Sequence, residues 1–400
     1  VETVEDKQEI PYRPGLEKVP AAISSVCYLD GDIGVLEYRG YLIDDLAHHC
    51  TYEETAYLLL NGDLPTTAQL DVFQKSLKDH RALQPALIEV FKALPVGGHP
   101  MLALEVATAA TGMYFSNIPF HAQGDPHVHQ YRYEAAVRLI AKLPTMVAAW
   151  HRVRQGLDPI APRADLDHSA NFLYMLDGHD SDPDLVKVFD AGMVLHAEHE
   201  MNASTFATRV TASSLSDPYS VVTAAIATLR GPLHGGANER VLDMLAKIGS
   251  ADNVEAWVQS ALAAKETIWG IGHREYRVKD PRAVILQEMN ETVFKKLGRT
   301  PLYDTAIKLE EYLATHPKFG AAPTLREQKF PNVDFYSGIV YQKMGIPVDL
   351  YTPLFAMSRV AGWLAHYLEQ VDSKKNKIFR PKQLYDGARE RKVGPIEQRG

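Results

Sequence analysis

Five short stretches set polar residues in apolar surroundings, and each could do chemistry. Leu195-His196-Ala197-Glu198-His199-Glu200 holds two histidines three apart, a spacing that lets one helix face carry both. Histidine is a common metal ligand. This run, however, is neither HExxH nor HxxEH, and no cysteine cluster accompanies it. The plainer reading is a hydrogen-bonded histidine at a helix end. Gly231-Pro232-Leu233-His234-Gly235-Gly236 puts His234 just before an amphipathic helix with Val241, Leu242, Leu245 and Ile248 on one side. The positive end of the helix dipole disfavours an imidazolium there. A neutral His234 can donate to a carbonyl oxygen that is gaining charge; the plain alternative is a tight glycine turn.

The third stretch runs from Gly270 to Arg282. Asp280 is a good helix N-cap and Pro281 a good first residue. Arg282 then falls in the first turn, where a cation opposes the dipole and suggests an anionic partner. Arg277 and Lys279 add positive charge suited to a phosphate, or simply line a solvated basic loop. The fourth is Phe330-Pro331-Asn332-Val333-Asp334-Phe335. Its simplest reading makes Asp334 an N-cap. The chemical reading makes it a carboxylate base, its pKa set by desolvation against the helix start. In the fifth, Leu354–His366, Arg359 lies in a nearly continuous apolar helix. It must snorkel or meet an anion, because a buried unpaired guanidinium is very costly. Farther on, Arg380 stands between apolar residues and proline. Three histidines, one carboxylate and three arginines, with no nucleophilic serine or cysteine motif, suit proton abstraction beside a carbonyl. The arginines would hold a substrate with more than one carboxylate.

Mostly helical elements must position these groups. Helical spacing predicts Tyr52–Leu60, Met101–Phe115, Tyr133–Gln155, Asp184–His199, Ser220–Thr228 and Pro353–Gln370. Several are rich in small residues, which suits crowded helix crossings or a subunit interface. Val26–Leu29 and Val35–Tyr38 flank Asp30-Gly31-Asp32 and read as a hairpin. Strands and helices do not alternate, so a dinucleotide-binding sheet has little support. Loops are expected at Asn117–Val128, Leu157–Asp165 and Thr315–Pro331. With 46% hydrophobic residues among 400, the chain has ample apolar surface for a folded core. A net charge of −8 gives no electrostatic case for nucleic-acid binding. Cys27 and Cys50 are the only cysteines, which fits a reducing compartment. No apolar run spans a bilayer, and the acidic N-terminus reads as neither a secretory signal nor a transit peptide.

In order, HAEHEMNAS, GPLHGGANE, GHREYRVKDPR, PNVDFYSG and LFAMSRVAGW resemble the motifs of the citrate synthase family. PGLEKVPAAISSVCYLDGDIGVLEYRG and IFRPKQLY extend the resemblance to about residues 14–385. It implies a mostly α, two-domain helical fold with a small N-terminal β-hairpin. Residues 1–235 and 346–400 would form the large domain, and 236–345 a small domain closing over the active-site cleft. The implied reaction condenses acetyl-CoA with oxaloacetate to give citrate and CoA, the entry step of the tricarboxylic acid cycle. Asp334 resembles the base that takes a methyl proton, His234 the donor to the thioester oxygen, and His273 the group polarising the ketone. His199, Arg282 and Arg359 resemble oxaloacetate ligands; Phe355 resembles a packing residue of that site, with Asn202 a further contact. Arg380 resembles an arginine supplied by the neighbouring subunit of a homodimer or higher oligomer. Ile268, Trp269, Gly270, Ile271 and Gly272 resemble the CoA adenine loop, and Arg277 a phosphate contact. Arg326 and Lys329 are basic candidates beside the PNVD motif. No cofactor or metal is implied, and a prokaryotic cytoplasmic enzyme is expected, with neither nucleic acid nor membrane as a partner. The close relative is 2-methylcitrate synthase, which uses propionyl-CoA and typically reads PNLDFP where this chain has PNVDFYSG. Rivals from other classes are a metal hydrolase built on His196 and His199, and a non-catalytic helical scaffold.

Overall fold

The structure is a computed structural model that describes residues 12–324 and 327–399. Its described residues form two units: those of Val1–Ile23 with Ile378–Gly400, and Ser24–Lys377. The first unit holds single helical turns at Pro14–Leu16 and Ile396–Gln398 and is otherwise irregular. Arg380 belongs to it and is solvent-exposed.

The second unit holds sixteen α-helices and three short strands among the described residues. The strands are β1 (Cys27–Asp30), β2 (Val35–Tyr38) and β3 (Tyr41–Leu42). They form an antiparallel sheet in that order, with Cys27 opposite Tyr38 and Asp30 opposite Val35. The predicted hairpin is there; the third strand has too few residues to leave a periodic pattern. The first helices are α1 (Ile43–His49), α2 (Tyr52–Asn61), α3 (Thr67–His80), α4 (Pro85–Ala93), α5 (Pro100–Met113) and α6 (Val128–Val153). Next come α7 (His168–Asp177), α8 (Pro183–His196), α9 (Ala203–Ser213), α10 (Pro218–Leu229) and α11 (Ala237–Ile248). The last are α12 (Val254–Ala263), α13 (Pro281–Leu297), α14 (Pro301–Ala314), α15 (Val333–Lys343) and α16 (Tyr351–Val371).

Local chemistry fixes most of the helix starts. Thr51 with Glu54, and Thr66 with Gln69, form reciprocal capping boxes for α2 and α3. Asp182, Asp217 and Asp280 each cap a helix whose first residue is proline. Apolar burial then packs the helices together. Nearly every residue of α16 is buried, and it packs against α2, α6, α8, α9 and α10. Small residues let α10 pack closely on α5 and α9. Gly112, for example, lies where a Cβ would come 2.9 Å from Tyr219.

One predicted helix is cut short. The pattern over Asp184–His199 runs on past the end of α8 at His196. Beyond it, the Tyr38 hydroxyl donates to the Glu198 carbonyl at 2.8 Å and accepts from the Glu198 N–H at 3.3 Å. The Gly362 N–H donates to the Ala197 carbonyl at 3.2 Å, and Glu200 has a φ of 53°. These contacts take peptide groups that another helical turn would need. His196 and His199 therefore do not share a helix face, contrary to the spacing argument.

Candidate active site

Three histidines, two arginines and Asp334, from α16 and five other segments, come within electrostatic reach of one another. His234 lies in the turn before α11, but a different helix controls its ring. Ser204, in the first turn of α9, points its backbone N–H at His234 Nε2 from 3.3 Å, and its hydroxyl lies 2.8 Å from the same nitrogen. Nε2 is thus an acceptor, which leaves the proton on Nδ1. Burial, and then the charge of Arg359, hold the His234 pKa down to about 4. His234 is a neutral donor at ordinary pH.

His273 reaches the same state by another route. Its Nδ1 accepts from the backbone N–H groups of Glu275 (3.0 Å) and Tyr276 (3.3 Å), so Nε2 carries the proton. Burial is the main cause that lowers its pKa to about 4; Arg282 and Arg277 add to it against Asp280. The His199 ring lies 5.2 Å from that of His273, centroid to centroid. Burial, Arg282 and His273 hold it well below the usual histidine range. Tyr276 joins the pair, its hydroxyl 3.1 Å from His199 Nε2.

Asp334 is the second residue of α15, not its cap. Asn332 takes that place, its side chain accepting from the Asp334 N–H at 3.0 Å. The carboxylate is therefore free of the capping job that the simplest sequence reading gave it. Its Oδ1 is buried without a hydrogen-bond partner. Burial pushes its pKa up to about 7, although Arg282 and Arg359 pull the other way. Desolvation has outweighed the helix start.

The two arginines differ. Arg282 is buried and already neutralised: Nε and Nη2 meet Asp280 Oδ1 and Oδ2 at 3.0 and 2.7 Å. The cap of α13 is thus the anion that the sequence demanded for this cation. Among the described residues, Arg359 has no carboxylate at salt-bridge distance. Its Nε donates to the His196 carbonyl at 2.6 Å, and its guanidinium lies 4.7 Å from the Phe355 ring centre. Nη2 is buried with no partner. Such a group is costly unless an anion arrives. The Phe355 ring also lies 6.5 Å from that of His234.

The loop before His273 is locked to the segment carrying Asp334. Ile271 bridges Pro331, Gly272 N–H donates to Phe330 O at 2.7 Å, and Asn332 N–H donates to Gly270 O at 2.9 Å. Gly270 has φ 75°, and a Cβ there would come 2.8 Å from Val241. Trp269 has Arg240 over its ring at 6.0 Å, and Ile268 is buried. Arg277 Nη1 donates to the His273 and Tyr276 carbonyls at 3.3 and 3.4 Å. Lys329 is exposed, its stem beside Gly272. Arg326 lies outside the described residues. Asn202 caps α9, accepting from Thr205 N–H at 3.1 Å while its amide donates to His199 O at 3.2 Å. Arg380 belongs to the other unit.

Among the described residues, no group of three or more His, Cys, Asp or Glu is placed to hold a metal. His196 pairs its Nδ1 with the Gly192 carbonyl at 2.7 Å and stacks edge-on against Phe355. Sequence spacing alone gives no reason to place Ser204, Tyr276 or Asp280 in the site. Ser204 and Tyr276 stand inside quoted motifs, but only spatial neighbours reveal what they touch.

The family described as citrate synthase, C-terminal domain, matches residues 15–382. The chain belongs to the citrate synthase family. A citrate synthase from Synechocystis sp. is 49% identical over 97% of this chain and 94% of its own length. The crystal structure of citrate synthase from Pyrobaculum aerophilum matches with a TM-score of 0.89 at 41% identity, covering all of both chains. Citrate synthase from Thermoplasma acidophilum, in a ternary complex with carboxymethyl coenzyme A and oxaloacetate, matches with a TM-score of 0.87 at 32% identity. That match covers 96% of this chain and 99% of the other. This member of the citrate synthase family is thus an enzyme, a transferase of the citrate synthase type. No helix among its described residues is long and apolar enough to cross a membrane.

Proposed function

We propose that this enzyme condenses acetyl-CoA with oxaloacetate and water, releasing citrate and CoA. One observation carries the reading: a carboxylate with an unpartnered oxygen and a raised pKa, Asp334, lies within electrostatic reach of Arg282 and of the unsatisfied Arg359, the same guanidiniums that help to keep His273 and His234 neutral donors. The Asp334 carboxylate removes a methyl proton from the thioester. His234 Nδ1–H donates to the thioester oxygen as negative charge builds there. The enol or enolate carbon attacks the ketone of oxaloacetate, polarised by His273 Nε2–H. Arg359 offers its unused Nη2 to a carboxylate of oxaloacetate, with Arg282 and His199 as further ligands and Phe355 as a packing wall. Water then hydrolyses the citryl-CoA thioester. This reading leaves Asn202 as the cap of α9.

The segment 236–345, which carries α11–α15, is proposed as the closing lobe. Its loop 268–272, with Arg277, Lys329 and Arg326, is the proposed CoA contact. A homodimer, with Arg380 reaching the neighbouring site, is proposed from the family resemblance.

Acetyl-CoA is preferred over propionyl-CoA in this reading because the chain has PNVDFYSG where the propionyl-using relative typically has PNLDFP. One methylene is worth only about 1–3 kcal/mol in a pocket, so a minor propionyl activity is expected. Thiol release with oxaloacetate and a series of acyl-CoAs tests this. The expected order is acetyl above propionyl in kcat/KM; the reverse order would make the enzyme a 2-methylcitrate synthase.

A further inference from the structure

Tyr276 is 3% exposed and touches both site histidines on its side of the cleft. Its backbone N–H helps to hold the His273 proton on Nε2. Its hydroxyl has His199 Nε2 as its one hydrogen-bond partner among the described residues, at 3.1 Å. Two arrangements satisfy that distance. If His199 Nε2 carried the proton, the phenol hydrogen would be left without an acceptor in a buried place. If the phenol donates, both groups are satisfied, and the His199 proton moves to Nδ1. Among the described residues, Nδ1 has no protein partner. It is also absent from the fully buried orphan atoms, unlike Asp334 Oδ1.

We propose that Tyr276 is a positioning residue: its hydroxyl donates to His199 Nε2 and so fixes the tautomer in which Nδ1–H is offered to an oxygen of oxaloacetate. This rests on the reading of the cleft as an oxaloacetate site. Burial and the neighbouring guanidinium of Arg282 keep His199 neutral, so Nε2 can accept. One residue thereby sets two tautomers, His273 through its backbone and His199 through its side chain. Only the second can be removed by mutation.

The test is Tyr276→Phe, which deletes the hydroxyl alone. Loss of one oriented donor raises KM for oxaloacetate about tenfold. In contrast, kcat and KM for acetyl-CoA stay within about twofold. A general loosening of the fold would move all three. The second readout is the 15N spectrum of histidine-labelled, ligand-free protein, with the His199 signals assigned by their loss in His199→Gln. Wild type is expected to show a protonated Nδ1 and a bare Nε2; Tyr276→Phe is expected to shift toward Nε2–H. A wild-type spectrum with Nε2–H overturns the proposal, as does a Tyr276→Phe protein that keeps both KM and tautomer. The wild-type spectrum needs no Tyr276 variant, so misfolding of Tyr276→Phe leaves the tautomer test in place. Absence of turnover with oxaloacetate would remove the functional reading without altering the tautomer result.

Discussion

In an unfolded chain an aspartate titrates near 3.9, whereas burial raises Asp334 to about 7 in the fold. Two consequences of opposite sign follow. Between these values the native state holds a proton that the unfolded state has released, so this group's contribution to stability falls as pH rises. Asp334→Asn removes that penalty. It should stabilise the protein at pH 8 by on the order of 1–3 kcal/mol and by much less at pH 4. Urea unfolding at both pH values checks this; equal shifts would mean that Asp334 titrates in the fold as it does in the unfolded chain. If Asp334 is the base, as proposed, catalysis runs the other way, because a base must be ionised. In ligand-free enzyme, kcat/KM should rise with pH through about 7, and Asp334→Asn should lower kcat by about 10²–10⁴-fold. Arg359 carries a parallel prediction. A buried cation with an unused N–H contributes little to the empty protein. Arg359→Met should therefore keep the ligand-free melting temperature within a few degrees while raising KM for oxaloacetate about 10²-fold. Collapse of the melting temperature with intact oxaloacetate affinity would make Arg359 structural.

The loop from Ala197 to Asn202 is held at several points by neighbouring elements. Glu198 is fully buried; its Oε1 accepts from His366 Nε2 at 3.0 Å, while His366 Nδ1 accepts from Arg209 Nη2 at 2.8 Å. Trp363 Nε1 donates to Ser204 Oγ at 3.1 Å, linking α16 to the residue that sets the His234 tautomer. Gly362 is where α16 comes closest: a Cβ there would fall 2.1 Å from Glu198 Oε2 and 2.4 Å from Ala197 O. Gly362→Ala should therefore cost about 1–3 kcal/mol, read from denaturant midpoints, and raise KM for oxaloacetate through the displaced His199. An unchanged midpoint would show that loop and helix can separate freely. The hairpin makes a similar close approach. Gly31 O accepts from Arg277 N–H at 2.8 Å, and a Cβ on Gly31 would come 2.2 Å from Glu275 O. The turn residues that announced a hairpin thus also brace the loop carrying His273 and Tyr276.

At the scale of the molecule, the proposed lobe meets the rest of its unit through ion pairs and helix faces. Lys296 of α13 pairs with Asp184 at 2.8 Å and with Asp182, and α13 packs on α1 and α8. Exposed pairs of this kind contribute only about 0–1 kcal/mol, so a ligand could shift the lobe. If 236–345 closes over oxaloacetate, small-angle scattering should show the radius of gyration falling when that ligand is added. An unchanged radius at saturation would remove the closing-lobe proposal. For the proposed homodimer, light scattering should give about twice the 44.5 kDa chain mass. Leu102, Val106 and Met113 are all exposed on α5 and, at about 100° per residue, lie on one side of it. That apolar side is where a partner copy is sought first.

Much was legible in the residues alone. Capping aspartates before proline, apolar periodicity and the Asp30-Gly31-Asp32 turn depend on neighbours in sequence, so they fix the starts of α8 and α13 and the β1–β2 hairpin. The same local logic found the charged groups that apolar surroundings make conspicuous, such as Arg359 and Asp334. What sequence could not decide is where long-range groups compete for the same polar atoms. Tyr38 and Gly362 end α8 before its periodicity does. Asn332 caps α15 and frees Asp334, while Ser204 and Tyr276 choose which nitrogen of His234 and His199 can donate. Each choice depends on a partner brought within about 3 Å by packing, and many of those partners are distant in sequence.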